Sequence, residues 1–112
     1  DWLSWWNVKA EKNKVVMYKA VTPDLTDFHT GQIKYEVGKV VTAPDWDDDF
    51  TEECGKALHC SPHLFLTHGY CQNPHVHIKC EVHIKDIRVP KHMTMPDKIR
   101  VKQLKVLEII KD

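Results

Sequence analysis

All four cysteines, Cys54, Cys60, Cys71 and Cys80, and six of the eight histidines fall between Cys54 and His83. Thiolate and imidazole are the ligands a Zn²⁺ ion takes in a tetrahedral site, so this concentration predicts a metal centre. The tightest spacing is Cys60-Ser61-Pro62-His63, where Pro62 stiffens a strand-to-helix bend and lets two ligands converge. Cys54 precedes it beside Gly55, which allows the backbone to fold back, and Cys80 arrives from a neighbouring strand. The expectation is a structural zinc on Cys54, Cys60, His63 and Cys80, with Cys71 as the alternative fourth ligand. His59 is set aside because adjacent strand residues point to opposite faces. Four protein ligands close such a site, which favours stability over hydrolysis. Two alternatives stay open. The thiols are uncoordinated, as Cys80 between Ile78 and Val82 on an apolar face would suggest, or they form two disulfides in any of three pairings.

Other constellations carry less. Asp45, Asp47, Asp48 and Asp49 lie in an acidic stretch, Ala43 to Glu53, that lacks the spacing of an EF-hand and reads as a solvated loop. His75, His77 and His83 share one strand parity and read as a polar face rather than a second metal patch. No glycine-rich phosphate loop, nucleophile elbow or His-Glu-x-x-His motif occurs, so the common hydrolase routes lack support. Cys60 or Cys71 with a histidine would make a nucleophile and base, but so many of each guarantee such pairs by chance.

Composition narrows the class. With 112 residues the chain is sized for one core. Its 16 basic and 16 acidic side chains cancel, so nucleic acid is not indicated as a partner. The histidines add positive charge as pH falls through about 6.5. No apolar run approaches a membrane span and no secretion signal opens the chain, which predicts a cytoplasmic protein with reduced thiols and no membrane partner. The start at Asp1 leads us to expect further residues upstream.

The elements that must position these side chains follow from periodicity. Trp2, Trp5 and Trp6 in residues 1–13 make an aromatic cap or junction segment, which also offers an aromatic patch to a protein partner. The domain proper is expected over 14–112. Strands are predicted at Lys14 to Ala20, Ile33 to Val37, Lys39 to Thr42 and Ala57 to Ser61. Ser61-Pro62 opens a helix reaching Tyr70. Val76, Ile78, Cys80, Val82 and Ile84 alternate with polar residues, the pattern of a half-buried strand. Ile99 to Ile110 is rich in β-branched residues and changes apolar parity near Gln103-Leu104, as a bulged strand does, although a helix also fits. The fold class is α+β: a small twisted, mainly antiparallel sheet with one central helix and an N-terminal aromatic cap.

Five segments carry a resemblance: VVMYKAV (15–21), YEVGKVV (35–41), ECGKALHCSP (53–62), KCEVHIKDIRVP (79–90) and PDKIRVKQLKVLEI (96–109). Together they resemble a family of uncharacterised phage and bacterial small domains, found alone or beside pentapeptide repeats. That resemblance implies a small α+β domain and no reaction. The order Tyr18-Lys19, Gly55-Lys56-Ala57-Leu58-His59 and Lys79 to Val82 is also similar to the ADP-ribosyltransferase fold, with departures at Lys19, Ala57 and His59. This second resemblance implies an NAD⁺-dependent transferase with Tyr18, Lys19 and His59 around the nicotinamide and Glu108 as the acid. The leading expectation is a non-enzymatic binding or accessory module stabilised by zinc, with that enzyme as the alternative.

Overall fold

The computed structural model describes residues 2–28, 30–43, 58–69, 74–89 and 98–110. In chain order the elements are helix α1 (Trp2–Trp5), then strands β1 (Lys14–Val21), β2 (Val40–Thr42), β3 (Leu58–Cys60), β4 (Val76–His83), β5 (Ile87–Arg88), β6 (Ile99–Val101) and β7 (Gln103–Ile110). Short 3₁₀ helices occupy Leu64–Gly69 and Ile84–Asp86.

The frame is a long antiparallel hairpin bent over on itself. β4 pairs with β7 and β5 pairs with β6, so both arms pass from a four-stranded sheet, order β1-β4-β7-β2, into a three-stranded sheet, order β3-β6-β5. The bend falls at Ile84–Asp86 on one arm and at Lys102 on the other, where the Lys102 amide donates to the Asp86 carbonyl at 2.9 Å. Sheets that share strands through corners enclose an interior between their inner faces. A second junction closes the opposite side, because Tyr18 and Ser61 exchange both backbone hydrogen bonds at 2.9 Å. β1 therefore runs between β4 and the end of β3.

Alternation decides what each face carries. On β1, Val15, Met17, Lys19 and Val21 share the inner parity; on β4, Ile78, Cys80 and Val82 do, with Met17 directly opposite Cys80. Leu58, Cys60, Ile99, Val101, Leu104 and Val106 join them in the core, as do Tyr35, Val41 and Ala43. Trp2 caps it, while Trp5 turns outward at 66% exposure.

Several expectations need correction. The predicted central helix from Pro62 is a 3₁₀ turn laid against β1, and the architecture is sheet-rich and mainly antiparallel. Ser61 belongs instead to the junction with β1, its amide and carbonyl both bonded to Tyr18. The end of that predicted helix at Tyr70 lies outside the described residues. Ile99 to Ile110 is not one strand, since Lys102 turns the chain from one sheet to the other. A bulge does exist on β7, further along than expected: Lys79 faces Glu108 and Cys80 faces Val106, leaving Leu107 as the extra residue.

Ile33 to Val37 forms no strand. The Asp27 carboxylate claims this stretch by accepting hydrogen bonds from the Thr30 amide at 2.7 Å, the Thr30 hydroxyl and the Ile33 amide at 3.0 Å. The loop then returns through the Tyr35 amide, which donates to the Leu25 carbonyl, and Gly38, at φ 85°, makes the turn into β2. His77, expected on a solvated face, is buried at 1% exposure between Ala20 and Ile110, with its ring edge-on to His75.

Two outcomes follow from this packing. Ile78→Ala is expected to lower stability by about 2–5 kcal/mol in urea unfolding, against a change within about 0.5 kcal/mol for exposed Val40→Ala. Burial pushes the Asp27 carboxyl up, but the Ile33 and Thr30 amides outweigh it and hold the group below its ordinary value of 3.8. A depressed carboxyl stabilises the fold above its unfolded pKa and loses that contribution as pH falls through the folded one. Asp27→Ala should therefore cost about 1–3 kcal/mol at pH 7, with the deficit shrinking as pH drops below 3.8 in parallel urea titrations.

Candidate functional site

The junction of β3 with β1 adds a polar cluster to an interior that also buries His77, Asp86 and Arg100. Lys19 stands at an inward position of β1, and its Nζ donates to the His59 carbonyl at 3.0 Å. The same Nζ lies 5.6 Å from the centroid of the Tyr35 ring, close enough for a cation–π contact. Beside it Cys60 and Cys80 are buried in the same interior, each at most 2% exposed. Burial holds the Lys19 ammonium below its ordinary value, against the opposing pull of Cys60, Cys80 and Asp27. The hydrogen bond from Cys80 lowers the Cys60 thiol, burial works against that, and Lys19 lowers it further. Cys80 moves the other way, raised by holding the shared proton and by burial. Burial also raises the Tyr35 phenol. The arrangement places two buried thiols within the field of one buried ammonium.

The outer face of the four-stranded sheet carries a different site. Tyr18, Lys79 and Glu108 lie in one row across β1, β4 and β7, with Lys79 Nζ 3.8 Å from the Glu108 carboxylate. The 3₁₀ turn stands beside that row, and together they line an open groove of about 590 Å³ that also includes His63, Leu64, Phe65 and Ile110. Phe65 is 66% exposed and stacks on His63 at 5.8 Å, while Trp6 meets the His63 ring edge-on at 6.5 Å. The His63 Nε2–H donates to the Trp6 carbonyl.

The zinc ligands expected from spacing are thus divided. Cys60 and Cys80 come together, His63 is turned into the aromatic cluster beside the groove, and Cys54 and Cys71 lie outside the described residues. Among the described residues no group of three His, Cys, Asp or Glu side chains is placed to hold a metal ion. The four residues of the transferase alternative are divided as well. Tyr18 and Glu108 line the groove, Lys19 enters the interior from the opposite face of β1, and His59 meets Lys19 through its carbonyl. The acidic stretch with Asp45, Asp47, Asp48 and Asp49 lies outside the described residues. Tyr35, Phe65 and Lys79 were not singled out by sequence reasoning. One signal was present for the interior site: Lys19 shares the parity of Val15, Met17 and Val21, a lysine where alternation calls for an apolar residue.

A family model described as a domain of unknown function, DUF7666, matches residues 15–111. No curated protein and no solved structure matches the chain. No helix among the described residues is long and apolar enough to cross a membrane.

The thiol assignment has a direct readout. In a Cys54→Ser, Cys71→Ser background, ultraviolet thiolate absorbance should show one thiol ionising below the range of free cysteine and the other above it. Cys80→Ala should raise the lower midpoint by more than Lys19→Met does, because the shared hydrogen bond outweighs the ammonium. Equal midpoints in all three proteins would contradict the assignment.

Proposed function

Because the chain belongs to the DUF7666 family, a domain of unknown function, we propose its role from geometry: a non-enzymatic binding module that takes an extended, uncharged, proline-rich segment of a partner protein in the outer groove. The observation that carries this reading is Phe65, a large ring left 66% exposed at the groove's edge and stacked on His63. A pre-set aromatic surface loses little entropy on binding, which is why rings concentrate binding energy.

The occupant follows from what the groove offers. Tyr18, His63 and Phe65 supply rings, Leu64 and Ile110 supply aliphatic surface, and Lys79 with Glu108 neutralise each other. A strongly charged ligand would gain nothing from that balanced pair. Where β1 borders the groove at Tyr18 it is paired on both sides, by Lys79 and by Ser61, and offers no free edge to an added strand. A polyproline II segment needs no backbone partners and packs its rings on aromatic grooves, which matches this surface. The N-terminal tryptophan segment, expected to meet a protein partner, adjoins it through Trp6 and His63. The transferase alternative draws less support, because Lys19 and Tyr18 occupy opposite faces of one strand.

The test is an NMR titration of the full chain with a capped decaproline peptide. Saturable shifts confined to Tyr18, the Leu64–Gly69 turn and Ile110, weakened about tenfold by Phe65→Ala, are the expected result. Shifts that do not saturate, or that persist unchanged in Phe65→Ala, would overturn the reading.

A further inference from the structure

We propose that Trp6, which does not line the groove, is a positioning residue for it: Trp6 fixes the His63 ring, and His63 presents Phe65 to the ligand. This deepens the reading of the groove as a peptide site and rests on it. Phe65 is 66% exposed, so the core does little to orient its ring. The 3₁₀ turn that carries it is closed by the Leu66 amide, which donates to the His63 carbonyl at 3.1 Å, and by the Thr67 hydroxyl, which donates to the Leu64 carbonyl at 2.8 Å. Those bonds shape the backbone and leave the rotamer of Phe65 open.

His63 supplies the direction. The two rings lie nearly parallel, 11° apart with centroids at 5.8 Å, so the plane of His63 sets the plane in which Phe65 stands. His63 is itself held from a segment 57 residues away. Its Nε2–H donates to the Trp6 carbonyl, which fixes where one ring nitrogen points, and the Trp6 indole meets the imidazole at 64°, which restricts its roll about that bond.

Trp6 is in turn anchored to the core. Its amide donates to the Trp2 carbonyl at 3.2 Å, and Trp2 is buried. The Val8 amide closes onto the Leu3 carbonyl at 2.9 Å after a left-handed Asn7 at φ 56°, and Leu3, Trp6 and Val8 all pack against the core cluster. A continuous path of contacts therefore runs from Trp2 through Trp6 and His63 to Phe65. Trp2 and Trp6 precede residue 15, where the family model begins, so the groove's most exposed ring depends on a segment outside the matched domain. A side chain already held in its bound orientation has less freedom to lose, and that saving is what Trp6 contributes to binding.

The experiment uses the full chain, without and with the capped decaproline peptide. In the ligand-free protein, NMR cross-peaks between the His63 and Phe65 ring protons are expected in the parent and in Trp6→Phe, and are expected to vanish in Trp6→Ala. Decaproline should bind Trp6→Ala about threefold to tenfold more weakly than the parent, while Trp6→Phe recovers most of the affinity. In a Phe65→Ala background the Trp6→Ala change should weaken binding no further, because the ring it positions is gone. A merely structural role for Trp6 lowers stability and leaves ring contacts and affinity unchanged; that result overturns the proposal, as does equal weakening in both backgrounds. If circular dichroism shows Trp6→Ala to be unfolded, Trp6→Leu, which keeps apolar bulk and removes the edge-on ring, takes its place. If none of these proteins binds decaproline, the groove reading fails and the ring contacts alone decide: their loss in Trp6→Ala supports the positioning, and their persistence overturns it.

Discussion

An ammonium group withdrawn from water where β3 closes on β1 sets the conditions that the surrounding structure meets. A cation in a low-dielectric interior is destabilising unless dipoles and charges compensate it. Lys19 obtains that compensation from three separate parts of the chain: the His59 carbonyl, the face of Tyr35 and the thiol pair of Cys60 and Cys80. Each contributor explains an element. The Tyr18–Ser61 pairing fixes β3 against β1 and thereby delivers both the carbonyl and the Cys60 thiol. The loop organised by Asp27 exists to bring Tyr35 back over the interior. β4 supplies Cys80 from the other side of β1. The polar cluster and the closure of the two sheets are consequently one feature seen from inside and outside.

The bent hairpin gives the domain two chemically distinct faces from the same strands. Lys19 and Tyr18 are neighbours in sequence, yet one enters the sulfur-lined interior and the other the aromatic groove. Cys80 and Lys79 divide in the same way on β4. The Leu107 bulge adjusts β7 so that Glu108 meets Lys79 on the outside while Val106 remains inside opposite Cys80. A one-residue change of register would exchange these populations, which makes the bulge a determinant of both surfaces.

Legibility in the sequence follows the range of the interactions. β1 and β4 were readable because alternation is local and strong, and the parity change near Gln103-Leu104 was visible too, although it marks the corner at Lys102 and not the β7 bulge at Leu107. That the chain passes between two sheets at Lys102 was unreadable, since a parity change alone does not distinguish a corner from a bulge. Ser61-Pro62 carries a helix-start signal that a nonlocal pairing with Tyr18 overrides. Likewise Ile33 to Val37 has strand composition, but a carboxylate six residues away takes its amide. For the site, clustering of cysteine and histidine pointed to Cys60 and Cys80 together. It could not separate His63, whose ring is claimed by Trp6 and Phe65 through contacts between distant segments.

The central claim is that the Lys19 ammonium lies inside, between the thiol pair and the Tyr35 ring. NMR measurement of through-space contacts from the Lys19 ε-protons tests it most directly. Cross-peaks to the Tyr35 ring and to the β-protons of Cys60 and Cys80 are the predicted result. Lys19 ε-protons that show no contact with these residues, with ζ-ammonium protons in fast exchange with water, would contradict it.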